Sequence, residues 1–336
     1  VKKVLLLCLG VTLTGLLIWQ ADVQQLLCAF HEAHPGLLGL AAAIHILSIG
    51  GIAWQWQRLG KELRSSCTFS QMIHMNMAGT FFESVTPAMK SGGEVVKAYL
   101  LKQRYQWSTA QSVALIGLQK AVSLTTMIAV VTACAVAYLW QYGLSTPQAM
   151  VVASNTLILL PLFLVIPAFF IFPGKTQAVI GPLMSRWSWS RRILPHMNNL
   201  VLTLQARTGK DKLPTHLLLG LAIWLLFPVK AALIAGALGI EASLVDLTVV
   251  TFLAYMVAMI PLTPGGVGTF EGTAVFLLLP LGVPLAQALA FALLLRLATF
   301  WLSFGCSALY LGYQVLKSYL PQVSLLATAG DKNSAQ

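Results

Sequence analysis

Charge is scarce in this sequence: 9% of its 336 residues are Asp, Glu, Lys or Arg, against 57% apolar residues. A soluble domain carries about 25% charged residues, so that class is excluded and an integral membrane protein with length for six or more spans is indicated. A long polar region is also missing. The longest, about 174–213, is too short for a catalytic domain of roughly 100–150 residues. The five cysteines (8, 28, 67, 134 and 306) are scattered, with no Cys-x-x-Cys pair, which argues against a disulfide framework and a zinc site. His45 and His74 have no partner at metal-ligand spacing and read as packing or interfacial residues. Acids are few, 10 against 21 Lys and Arg. The resulting charge of +11 would suit nucleic acid, but the basic residues fall in loops between apolar segments, where membrane topology explains them. No nucleic acid, metal or cofactor is expected.

What is there is a succession of apolar segments. Lys2 and Lys3 precede 4–19, read as a signal-anchor helix because no small-x-small cleavage site follows. Residues 20–35, read as an outer loop, carry Asp22 and Glu32, and a span over 36–54 meets Arg58, Lys61 and Arg64. Segment 69–87 is followed by 95–105, whose Lys97, Lys102 and Arg104 mark a return to the cytoplasm. Ser108-Thr-Ala-Gln111 predicts a capping box at the start of a long helix to about 140. Segment 151–172 leads into the basic stretch to 213, where Trp187 and Trp189 suggest an interfacial helix. A span over 214–238 holds Pro228 as a kink and Lys230, expected to snorkel to the outer surface. A final span, 284–313, precedes a tail expected to be disordered after about Ala329. The loops placed outside hold four acids and no Lys or Arg, so both termini are expected in the cytoplasm.

Two segments depart from this pattern. Residues 261–272 interrupt an apolar run with Pro261, Pro264, Gly265, Gly266, Gly268 and Gly272, plus Glu271. The apolar flanks fall short of the roughly 20 residues that a crossing needs, so the chain is expected to enter, break and return. Residues 84–94 hold the other break, with Thr86, Pro87, Lys90, Gly92, Gly93 and Glu94. The two correspond. Thr86-Pro87 is followed by Gly92-Gly93 and then Glu94, and Thr263-Pro264 by Gly265-Gly266 and then Glu271. Ala110-Gln111 follows the first and Ala286-Gln287 the second, and nine residues beyond each Gln stands a cation, Lys120 or Arg296. The halves, about 1–145 and 146–320, begin on opposite sides by the charge rule. The expected fold is an all-α polytopic membrane protein, one membrane domain over 1–336, with six full spans and two re-entrant helix pairs in an inverted-topology repeat.

The second break, continued by Pro-Leu-Gly-Val-Pro-Leu-Ala-Gln-Ala-Leu and Leu-Leu-Leu-Arg296, resembles the transmembrane region of the lysylphosphatidylglycerol synthase, or flippase-like, family. Thr86-Pro87 through Gly-Gly-Glu-Val-Val-Lys97 resembles that family's first-half motif, with Lys90 and Lys97 where arginine is expected. The resemblance spans nearly the whole chain. It implies a lipid-handling protein of a prokaryotic inner membrane, with lipid translocation as the associated activity. The family's aminoacyl-transferring domain has no room in this chain.

Lys120 and Arg296 each lie twelve residues into a long helix, about 18 Å from its end and so near the centre of a ~30 Å layer. Together with Glu83, Glu94 and Glu271, these charges would cost about 12–18 kcal/mol if lipid-exposed, so they must pair or line a wet cavity. One reading has Lys120 and Arg296 contact a lipid phosphate, helped by the glycine-rich breaks at Gly92, Gly93, Gly265, Gly266 and Gly268 and by Thr86, Thr263, Gln111 and Gln287. Another has Lys120 pair with Glu94 and Arg296 with Glu271 to hold the halves together. Glu94 and Glu271 also suit the first turn of a half-helix, and Gln111 and Gln287 suit helix starts. The expected partners are membrane lipids, with a lipid-modifying enzyme as a further candidate. A polyprenyl-linked glycosyltransferase and a scaffold are the rival functions. The first would want carboxylates grouped at one membrane face, and the outer acids are isolated in short loops.

Overall fold

Where lipid replaces water, backbone hydrogen bonds must close within the chain. Among the described residues of the computed structural model every regular element is helical. The described residues are 2–63, 67–85, 91–171, 212–259 and 263–333, with single positions 175, 178 and 182. The first seven helices are α1 (Lys2–Gln20), α2 (Val23–Glu32), α3 (Pro35–Glu62), α4 (Phe69–Val85), α5 (Ser91–Gln103), α6 (Thr109–Tyr142) and α7 (Pro147–Ile171). They are followed by α8 (Leu213–Ala237), α9 (Leu244–Met259), α10 (Thr269–Leu278), α11 (Leu285–Arg296) and α12 (Leu302–Asn333). A π turn, Leu297–Trp301, joins α11 to α12. Among the described residues four helices are long and apolar enough to cross a membrane: α3, α6, α8 and the continuous stretch Leu285–Lys317. The interfacial helix expected around Trp187 and Trp189 lies outside the described residues.

Local chemistry accounts for several helix ends. The capping box at α6 is present: Gln111 N donates to Ser108 Oγ at 3.2 Å, and Ser108 N donates to Gln111 Oε1 at 3.0 Å. The outer loop expected over 20–35 is instead mostly helical, as α2. Asp22 supplies its N-cap by accepting from Gln24 N at 2.9 Å, and Leu26 is buried. The tail expected to be disordered after Ala329 continues α12 as far as Asn333.

The bundle has two apolar ends. At one, Ala41 near the start of α3 shares a cluster with Ala135 late in α6 and with residues of α8–α11. At the other, Ala53 to Leu63 at the end of α3 share a cluster with Ala114 to Val122 early in α6. α3 and α6 therefore run in opposite directions.

Each end receives a helical hairpin. In the first, Gly93 approaches Gly79 and Glu83 while Lys97 lies along Gly79, so α4 and α5 are antiparallel. Its base, with Met72, Met75 and Leu101, belongs to the second cluster. In the other, Gly266 approaches Ala258, and the rings of Tyr255 and Phe270 lie 4.9 Å apart, so α9 and α10 are also antiparallel. Its base, with Leu247, Val250 and Leu278, belongs to the first cluster. α4 packs against α12 and α9 against α6, so each hairpin leans on the long helix of the other half, and α3 packs against α8.

Candidate functional site

The turn between α9 and α10 needs glycine for a stated reason. Gly265, Gly266 and Gly268 have φ of 64°, 70° and 80°, a region that side-chain-bearing residues rarely adopt. Gly268 also admits α1, since a Cβ there would lie 2.7 Å from the Gly10 carbonyl oxygen. The turn's outward carbonyls are gathered by one side chain. Arg296 Nη1 donates to Gly266 O and to Glu271 Oε1, each at 2.9 Å, and Nη2 donates to Gly265 O. Glu271 Oε2 accepts from Gly268 N at 2.8 Å, in the first turn of α10. Both side chains are buried, 6% and 3% exposed, and the guanidinium lies 5.6 Å and 5.5 Å from the ring centres of Phe270 and Phe300. Arg296 has five N–H donors, and three are engaged in these bonds.

The first half has a looser counterpart. Glu94, in the first turn of α5, lies 2.9 Å from Lys120 Nζ and 3.1 Å from Lys97 Nζ through one oxygen. Its Oε2 is buried and has no hydrogen-bond partner among the described residues. The Lys120 side chain is 43% exposed. Lys120 is the twelfth residue of α6, as Arg296 is of the helix beginning at Leu285. In the sequence Lys97 is one of the charges that mark a return to the cytoplasm. It is buried along Gly79 and lies 5.2 Å from the Trp56 ring centre, because its apolar stem packs best where Glu94 meets its charge.

The two hairpin tips border one cavity of about 210 Å³. Ser84 and Val85 come from the end of α4, Gly265 and Val267 from the α9–α10 turn, and Arg296, Phe300, Trp301 and Phe304 from the long helix that begins at Leu285. Thr263 is buried, its Oγ1 3.4 Å from that of Thr269, and Pro264 opens the short turn Pro264–Gly266. Gly92 and Gly93 lie in the first turn of α5. Thr86, Pro87 and Lys90 lie outside the described residues. Gln111 is held in the cap of α6 and Gln287 sits in the first turn of α11, each at the start of a long helix rather than beside its cation.

Lys230 corrects the sequence reading. It does not snorkel: it is 0% exposed, with Nζ 3.2 Å from His45 Nδ1, 3.4 Å from Ser48 Oγ and 3.7 Å from the Phe227 ring centre. The close packing of α8 on α3 places polar acceptors beside it in the interior, so its amine has no need of the surface. His45 Nε2 in turn meets Ser303 Oγ at 2.6 Å. An ionisable residue deep in a span was the available signal, but its partners are far away in sequence.

With this geometry in view, the relatives are informative. The UPF0104 membrane protein of Pyrococcus horikoshii is 24% identical over 322 residues, covering 90% of this chain and 94% of that protein. The UPF0104 membrane protein of Methanothermobacter thermautotrophicus is 22% identical over 338 residues, covering 96% of this chain and 99% of that protein. The family described as the lysylphosphatidylglycerol synthase TM region matches residues 4–305, which takes in both hairpins, both cation–carboxylate pairs and the cavity, and the chain belongs to that family of integral membrane proteins.

Proposed function

We propose that this protein moves a phosphate-bearing lipid between leaflets, its headgroup passing through the cavity at the hairpin tips. One observation carries the reading: the end of α4 and the α9–α10 turn, from hairpins based at opposite ends of the bundle, line the same cavity as Arg296. Among the described residues, two guanidinium N–H donors are not used by Glu271 or the break carbonyls, and phosphate oxygens are suitable acceptors. About 210 Å³ is roughly the space of seven waters, enough for a phosphate headgroup but below the ~300–1,000 Å³ of a whole-ligand pocket. The acyl chains would remain in the bilayer. Lys120, partly exposed and with one carboxylate contact, lies outside that lining and is the second phosphate contact, met where the headgroup enters or leaves the cavity.

The same reading takes α4–α5 and α9–α10 as re-entrant hairpins entering from opposite faces. The long helices and their twelfth-position cations are then equivalent members of an inverted repeat with six full spans, both termini cytoplasmic, in a prokaryotic inner membrane. The protein acts as a transporter and not as an enzyme. The test is purified protein in vesicles with a fluorescent anionic phospholipid in both leaflets, scored by the fraction that an outside-only quencher reaches. Wild type should expose the inner-leaflet pool and Lys120→Gln should slow it. Lipid movement equal to that of protein-free vesicles, across anionic phospholipids and polyprenyl phosphates, would sink the reading. So would movement that survives neutral replacement of both Lys120 and Arg296.

A further inference from the structure

Lys230 is a buried amine for which, among the described residues, no carboxylate lies within salt-bridge distance. Its surroundings are nonetheless complete. An ammonium has three N–H donors, and Nζ has three neighbours able to receive them: His45 Nδ1, Ser48 Oγ and the Phe227 ring face. Ser303 Oγ sits on the far imidazole nitrogen. If it accepts from Nε2–H, the neutral ring presents its Nδ1 lone pair to the amine. A polar site this well formed, holding a cation with no counter-charge, is expensive to keep charged in a dry interior. Purely structural polar layers do not require a titratable amine at all.

The titratable and charged groups around the site can be named. α3 contributes His45, and α9 contributes Tyr255, whose ring lies 6.1 Å from that of Phe227 and whose hydroxyl meets Thr299. α11 carries Arg296, turned onto Glu271 and the break carbonyls, and α6 carries Lys120, turned onto Glu94. None of these supplies Lys230 with an anion.

We infer that Lys230, His45 and Ser303 form a proton-binding site that couples proton movement to lipid movement. The proton is held at Nζ in one state and given to water in the other, with His45 neutral in both. The coupling path is short. His45 and Ser48 belong to α3, Lys230 to α8, and Ser303 to the helix that carries Arg296, next to the cavity-lining Phe304. Loss of the charge loosens α3 from α8, and the Ser303 contact passes that change to the π turn and the cavity. The coupling rests on the lipid-moving reading above, whereas the proton site does not.

The experiment has two arms. In the first, vesicles carrying the protein and a fluorescent anionic phospholipid are given a pH step of about one unit. One proton per lipid then supports a leaflet ratio of up to about tenfold. Wild type should build that asymmetry and lose it on adding a protonophore. Lys230→Met should build none, and His45→Gln less than wild type. In the second arm, the 15N signal of Lys230, assigned by its absence in K230M, is followed in micelles from about pH 5 to pH 8, the range in which physiological proton switches work. A signal that changes charge state supports the site. A signal that keeps one charge state overturns the proposal whatever the lipid does, and so does lipid movement indifferent to the pH step. No lipid movement together with a titrating signal sinks the lipid reading while supporting the proton site. Should K230M fail to insert, H45Q provides both the assignment shift and the reduced asymmetry.

Discussion

Arg296 and Lys120 occupy matching positions, yet their surroundings assign them different energies. Arg296 and Glu271 are each spoken for, one by carbonyls at the turn and the other by the Gly268 amide. Removing one partner leaves an uncompensated buried charge, so Glu271→Ala should lower stability by about 3–5 kcal/mol. Arg296→Lys keeps the charge but loses the fork that spans Gly265, Gly266 and Glu271, and should also destabilise. Lys120 is 43% exposed, and Glu94 retains Lys97 when it is removed. Lys120→Gln should therefore cost less than about 1 kcal/mol. Unfolding midpoints of the three variants in one detergent would check the order. Equal losses at Glu271 and Lys120 would mean that the two pairs are equally buried in solution, contrary to the exposure difference seen here. The lipid assay then separates roles, because a stable Lys120→Gln that moves lipid slowly points to contact with cargo.

At the scale of elements, the second hairpin depends on a turn that only glycine fits. A Cβ on Gly266 would stand 2.5 Å from that of Ala258, at a φ of 70°, so Gly266→Ala should cost more than about 1 kcal/mol. Gly39, within α3, has nothing within 4 Å of its would-be Cβ, and Gly39→Ala should instead gain about 0.5–1 kcal/mol. Thermal unfolding of the pair checks the opposite signs; two losses would show that α3 is packed against something at Gly39. The turn was legible in the sequence because its cause is local: prolines withhold donors and glycines accept positive φ within a dozen residues. The cap at Ser108 was legible for the same reason. The Lys230 site was not, because its partner His45 lies 185 positions away, and only the packing of α8 on α3 brings them together. Lys97 shows the intermediate case. Its three-residue spacing from Glu94 is visible in the chain, but the Gly79 and Trp56 surfaces that bury its stem are not.

At the scale of the whole molecule, the end of α4 and the α9–α10 turn border one cavity while the bases of their hairpins rest in separate apolar clusters. A headgroup can cross such a bundle only if the tips change their spacing, since the cavity between them is smaller than a lipid and bordered by Phe300, Trp301 and Phe304. Holding the tips together should therefore stop transport without disturbing either base. Ser84 and Val267 border the cavity from opposite tips, so Ser84→Cys with Val267→Cys, in a background whose five native cysteines are replaced, can be bridged by a short cleavable thiol reagent. The bridged protein should move fluorescent lipid no faster than protein-free vesicles, and cleavage of the reagent should restore the rate. Each single cysteine treated alone controls for bulk at the tip. If the bridge forms quantitatively and lipid still crosses at the unbridged rate, the headgroup does not pass between the hairpins. The cavity would then belong to the resting fold, and the route would have to be sought along the partly exposed Lys120 face.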